Sequence, residues 1–244
     1  VNTDIYVAHE AFVDTQNEYL SEIALLAKSY QFIEPMERSL TKEQENIELQ
    51  PLMDKLQQEK GFDFIQLITV NGCNYWLSDK CTTRNSPLLT KAISGEAAAG
   101  VEIFSSAELQ AISPELAQSA YLPLTQTLHT EPSEKKMEDR GMVLHSYYPI
   151  IDSNKKVRAI LVGGVLLNKN FTFVDTLRDL VYSKDSLAKN GLGTVTIFLD
   201  DVRISTNVPN QLLMPKERAL GTRVSDEVKE EVLSHGQTWI DRAF

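Results

Sequence analysis

The sequence predicts an α+β chain: a long N-terminal helix, then two modules that are each an antiparallel sheet flanked by helices. Three observations carry this expectation. Ile5, Phe12, Tyr19 and Leu26 recur every seven positions, which holds an apolar stripe on one side of a helix. Runs rich in β-branched and aromatic residues, Phe62 to Val70, Met142 to Ile151, Val157 to Leu167 and Gly193 to Leu199, are separated by capped, helix-like segments. With 42% hydrophobic residues in 244, the chain can bury one large core or two ordinary ones.

In order, the first helix is expected to start at Asn2 or Thr3 and run to about Tyr30, with Ala8, Ile23 and Ala27 widening its stripe. Glu34-Pro35 to Ser39 should break it. Thr41 with Gln44 three positions on has capping-box spacing, so a second helix is expected from there to Lys60-Gly61. Asn71-Gly72 then signals a tight hairpin between Phe62 to Val70 and a returning strand Cys73 to Ser78, with Tyr75 and Leu77 on one face and Trp76 on the other. Ser86-Pro87 opens a short helix, Ala97 to Ser105 is a third strand, and Ser105 with Glu108 and Ser113-Pro114-Glu115 start two short helices.

Thr130 to Arg140 is charged and without apolar period, which reads as a surface loop. Met142 to Ile151 and Val157 to Leu167, joined through Asp152 to Lys156, are expected to be the central antiparallel pair of a sheet. A helix over Asn170 to Tyr182 follows. Gly193 to Leu199 and Val202 to Val208 form a hairpin about Asp200-Asp201, and Ser225 caps a last helix that ends at His235-Gly236.

Charge and motifs exclude several functions. The formal net charge is −10, from 34 acidic and 24 basic residues, so a nucleic-acid backbone is repelled on balance. The longest apolar run, Val157 to Leu167, is interrupted by Arg158 and is about half the ~20 residues of a membrane helix. No signal peptide is legible either. His9, His129, His145 and His235 are scattered, with no zinc-helix spacing, and no nucleophile elbow or phosphate-binding glycine loop occurs. No catalytic residue, metal or cofactor is expected. Cys73 and Cys81 can form a disulfide only if Asn74 to Lys80 doubles back, because eight extended steps span about 26 Å; otherwise they are two thiols.

A binding site needs aromatic walls and a few convergent polar groups. Tyr75, Trp76, Arg84, Glu102, His145, Tyr147, Tyr148 and Asp152 stand on or beside strands and are the candidate ligand-binding residues. On one strand His145 and Tyr147 share a face and Ser146 and Tyr148 share the other. Each has a plain structural alternative, as a core aromatic or a surface charge. Arg84 suits a carboxylate, which a guanidinium grips with two parallel hydrogen bonds.

TIFLDDVRISTNV, GTRVSDEV and HGQTWIDRAF, in that order and at those intervals, resemble the membrane-proximal module of a double Cache sensor, the tandem PAS-like extracytoplasmic domain of bacterial transmembrane receptors. The order of elements from Phe62 to Asn168 resembles the family's membrane-distal module. The resemblance implies a periplasmic small-molecule sensor of an inner-membrane receptor, most often a sensor histidine kinase and alternatively a chemoreceptor or diguanylate cyclase. It implies a homodimer paired through the N-terminal helix and tethered by membrane segments outside this sequence. The expected divisions are a stalk helix and break over 1–40, a distal sensing module over 41–168, a linker helix over 169–190 and a proximal module over 191–244 that stops before its central strands. Family members that sense amino acids carry an arginine ahead of an aromatic pair. Asn74-Tyr75-Trp76-Leu77 has the aromatics without that arginine, which leaves a small carboxylate or another metabolite. A soluble acidic hydrolase and a purely structural dimerisation domain are the readings from other classes.

Overall fold

The computed structural model describes residues 2–38, 40–77, 81, 85–125, 134–182, 193–210 and 217–238. Helix α1 (Asn2–Lys28) forms as expected, but its break comes early. Ser29 leaves the helical region (φ −66°, ψ 144°), and its hydroxyl oxygen accepts the Phe32 N–H at 3.3 Å, which starts α2 (Tyr30–Glu37). Ser29 is thus an additional break; the one expected between Glu34 and Ser39 also forms, since α2 ends at Glu37 and Arg38 is extended (φ −70°, ψ 155°), while Pro35 itself lies inside α2. Helix α3 (Lys42–Lys60) has the expected capping box between Thr41 and Gln44 and ends at Gly61 in the left-handed conformation.

Strand β1 (Phe64–Ile68) is followed by the expected turn, in which the Thr69 N–H donates to Cys73 at 2.8 Å and the Gly72 N–H to Thr69 at 2.9 Å. The returning strand is a correction. After an isolated bridge from Ile68 to Asn74, the Asn74 side-chain oxygen accepts the N–H groups of Trp76 and Leu77 and turns the chain out of the ladder. Tyr75 is therefore buried while Leu77, expected on the same face, is 50% exposed. Cys73 and Cys81 are joined in a disulfide, so the chain does double back.

Helix α4 (Pro87–Ile93), strand β2 (Ala98–Phe104) and helices α5 (Ser106–Ile112) and α6 (Pro114–Ala120) follow, with Ser86, Ser105 and Ser113 as caps. The charged run expected to be a plain loop ends in structure: β3 (Leu122–Pro123) pairs antiparallel with β4 (Met137–Glu138). Glu138 is wholly buried there, gripped by Arg140 at 2.8 Å and Lys135 at 2.6 Å, which is how a charged sequence lacking apolar period becomes part of an interior.

Strands β5 (Gly141–Ile151) and β6 (Val157–Leu166) lie at the centre of a four-stranded sheet of order β1-β6-β5-β2. Phe64 pairs with Gly164 and Ile68 with Ile160. One face carries Phe64, Ile68, Ile160, Val162 and Tyr147 toward α4. The other meets α1, where a Cβ on Gly163 would stand 2.6 Å from Ile23 and 2.7 Å from Phe62, so glycine sets how closely the helix approaches.

Helix α7 (Phe171–Val181), capped by Asn170, buries Val174 and Leu177. The hairpin of β7 (Thr196–Leu199) and β8 (Val202–Thr206) turns at Asp200, whose φ is +52°. Leu122, Leu199, Val202 and Ile204 form a core beside it. Ser205 and Asn207 are structural: the Ser205 hydroxyl donates to the Asn170 carbonyl, and the Asn207 side chain bonds both Val195 and Gly193. The last helix differs from expectation. Ser225 makes no side-chain cap bond, α8 (Asp226–Val228) has three residues, and Lys229–Ser234 continues as a π-helical turn closed by bonds such as His235 N–H to Glu230. The WIDRAF ending, and with it the expected incompleteness of the second module, lies outside the described residues.

Two compact units result, and neither is one stretch of chain. The first comprises Val1–Phe12, Phe104–Met142 and Leu166–Phe244; the second comprises Val13–Ile103 and Val143–Val165. The two units interleave along the sequence. Residues expected in the distal module, α5, α6 and the β3–β4 ribbon, join the C-terminal residues, with Leu122 packed on Leu199, Val202 and Ile204. Among the described residues no helix is long and apolar enough to cross a membrane.

Candidate functional site

Three of the eight expected ligand-binding residues converge. His145 and Tyr147, two apart on β5, share the sheet face toward α4, and Glu102 comes from the neighbouring strand β2. The Glu102 Oε2 atom lies 2.8 Å from His145 Nδ1 and accepts the Tyr147 hydroxyl at 2.8 Å. All three side chains are buried. The Phe64 ring stands edge-on to the imidazole with centroids 5.5 Å apart, and the imidazole and Tyr147 rings are 4.2 Å apart. Tyr147 also enters the apolar cluster of Ile68, Leu89, Ala92, Ile160 and Val162, so the polar group is walled by core.

Electrostatics follow from that placement. Burial alone pushes the Glu102 carboxyl up; hydrogen bonds from His145, Ser86 and Tyr147 and the charge of His145 outweigh it and hold the carboxyl down at about 2. Ser86, legible in the sequence only as a helix cap, serves both roles, since its oxygen also accepts the Leu89 N–H at 3.0 Å. A folded pKa below the ordinary 4.5 means that Glu102 adds stability above about pH 4.5 that is lost as the pH falls toward 2. Glu138, also held at about 2 against the upward push of burial by Arg140 and Lys135, acts in the same window. Glu102→Gln is expected to flatten part of the acid limb of a urea-stability profile measured from pH 6 to pH 2, leaving the part due to Glu138. A profile identical to the parent's would exclude this role for Glu102.

The other expected residues go elsewhere. Tyr148 lies on the opposite face of β5, under the Lys28 ammonium at 5.3 Å from its ring centre. Asp152 closes the β5–β6 turn, its Oδ1 accepting the N–H groups of Asn154 and Lys156 at 2.8 and 2.9 Å. Tyr75 accepts from Arg158 Nε at 3.2 Å, and Trp76 meets the Tyr75 ring edge-on. Arg84 lies outside the described residues. Arg158, noted in the sequence only as an interruption of an apolar run, is a hub: Nη2 reaches buried Glu45 at 2.6 Å and Nη1 donates to the Met36 carbonyl. Lys42 is 3.4 Å from Glu45 and 3.0 Å above the Tyr75 ring. Among the described residues no group of three His, Cys, Asp or Glu side chains could hold a metal ion.

Comparison with known proteins finds similarity over part of the chain. No curated protein matches the sequence. Among solved structures, the chain is similar to the sensor domain of E. coli DcuS at 13% identity over 74% of this chain and 98% of that one, with a TM-score of 0.38. It is also similar to the periplasmic domain of Vibrio cholerae LuxQ at 14% identity over 83% and 81%, with a TM-score of 0.40. Residues 165–244 match the family model described as single cache domain 3. That range contains TIFLDDVRISTNV, GTRVSDEV and HGQTWIDRAF, on which the resemblance to Cache sensors rests, and it holds α7, β7, β8 and α8. Residues 165–244, about a third of the chain, are thus what is similar to the Cache family.

Proposed function

We propose that this chain is the extracytoplasmic small-molecule sensor domain of a transmembrane signalling receptor, of the histidine kinase type. The Cache match over residues 165–244 carries the reading and favours it over a soluble hydrolase. Ligand is read at the Glu102, His145 and Tyr147 cluster. A buried carboxylate held ionised between an imidazole and a phenol is a hydrogen-bond acceptor, which suits a ligand that donates hydrogen bonds or carries an amine. The receptor's periplasmic location, its membrane segments and a homodimer paired through α1 belong to the same proposal; exposed Ile5 and Tyr6 on α1 support the last.

A thermal-shift screen of small amines, amino acids and organic acids tests it, since a ligand at ~100 times its Kd adds about 2.7 kcal/mol to stability. Amine-bearing ligands are expected to raise the midpoint, and Glu102→Gln to remove the rise. Silence across the screen counts against the sensor reading. A rise that survives Glu102→Gln moves the ligand away from this cluster.

A further inference from the structure

On the sheet face opposite Glu102, the α1–α2 corner and the β5–β6 hairpin enclose an open cleft of about 790 Å³. All its lining residues belong to the unit formed by residues 13–103 and 143–165. Two cations stand on its wall. The Arg158 guanidinium is immobilised by the Tyr75 hydroxyl, the Met36 carbonyl and Glu45. A guanidinium has five N–H groups, so these three bonds leave two unused. Glu45 is shared between Arg158 and Lys42, and the trio keeps one net positive charge. The second cation, Lys28, rests over the Tyr148 ring and has no carboxylate within ion-pair distance among the described residues.

Two acidic groups, Asp152 and Glu37, balance these charges in number, so placement and not net charge favours an anion here: Asp152 is committed to two backbone N–H groups of its turn, and Glu37, like Lys28, is solvent-exposed. Ile33, Met36 and Ile150 supply apolar wall. We propose that this cleft is a second ligand site, which takes a small organic carboxylate between Arg158 and Lys28. A preorganised guanidinium grips a carboxylate bidentately, and a short apolar tail is covered by the wall. This site goes beyond the Glu102 reading and does not depend on it. Lys28 is the last residue of α1 and Arg158 is on β6, so a bridging carboxylate fixes the end of α1 to the sheet and makes occupancy felt along that helix.

Isothermal titration with butyrate, succinate and benzoate, with butylamine as the control, tests the site. At least one carboxylate is expected to bind and butylamine to leave that binding unaffected. Lys28→Gln, at an exposed position, is expected to weaken it roughly tenfold, the loss of one charge-assisted bond. Arg158→Lys keeps the charge and loses the fork, and is expected to weaken it at least as much, with circular dichroism confirming the fold. Glu102→Gln is expected to leave carboxylate binding unchanged. The cleft is overturned if no carboxylate binds, if Lys28→Gln binds like the parent, or if Glu102→Gln abolishes binding. In each case an amine response lost in Glu102→Gln leaves the sensor reading standing.

Discussion

Replacing Arg158 with leucine is expected to destabilise the unit that contains it by ~3–5 kcal/mol, because Glu45, 2% exposed, is left as a buried carboxylate with only Lys42 at 3.4 Å to offset it. For a chain of this size that corresponds to a fall in Tm of about 10 °C. The same change removes the donor to Tyr75 and to the Met36 carbonyl, so α2, the disulfide-closed loop and β6 lose a shared tie. The companion experiment separates the charge from the packing. Glu45→Leu combined with Arg158→Leu removes both ions and is expected to recover most of the lost stability, since two apolar groups of similar volume leave nothing unpaired. A double variant as unstable as the sum of the singles would show that the pair holds the fold by shape, not by mutual neutralisation.

Gly221→Ala is expected to unfold much of the other unit. Gly221 has φ +70°, where an alanine costs about 1–2 kcal/mol. Its added Cβ would also run into the Pro123 carbonyl oxygen, a backbone atom with no rotamer to yield. Yielding would break what the residue holds together: its carbonyl accepts the Thr125 N–H at 3.0 Å and its N–H donates to Arg203 at 3.0 Å. Strain and overpacking together come to ~3–4 kcal/mol. Urea denaturation followed by circular dichroism checks this, and a loss below about 1 kcal/mol would mean that the Pro123 segment moves freely.

What could be read in the sequence was local. Thr41 with Gln44, Ser105 with Glu108 and Gly61 are helix ends whose hydrogen bonds close within three or four residues, and all three formed. Strands β5 and β6 were legible because each is a long, nearly continuous apolar run next to turn residues, as a strand buried on both faces requires. The earlier break at Ser29 had a signal, a serine three residues before the N–H it caps, but Pro35 is the louder residue. The returning strand after Gly72 failed because one side chain, Asn74, captured two N–H groups that the ladder needed. Glu138 could not be found by periodicity, since its interior is made of charges.

The candidate site divides in the same way. His145 and Tyr147 are two apart on one strand, and alternation puts them together. Glu102 stands 43 residues from His145, so the hydrogen bond between them depends on strand order, which no local pattern encodes. Ser86, Lys28 and Arg158 were missed for the same reason: each has an ordinary local role, as cap, helix end and strand residue, and acquires a second one only from the fold.

The interleaving of the two units has a consequence for how the protein is made. The unit of residues 13–103 and 143–165 is fully synthesised once residue 165 has emerged, whereas the other must bring the first twelve residues together with segments that begin at 104 and 166. A growing chain, emerging amino end first, can therefore complete one unit while α1's opening turns wait for residues 166–244 to be translated. Closing that gap joins residues more than 150 positions apart, and Phe12 meets Phe173 with rings 5.8 Å apart. Refolding should accordingly be slowest at the amino end, and a nascent chain stalled near residue 165 should present a finished unit followed by a helix-forming stretch with nothing yet to pack on.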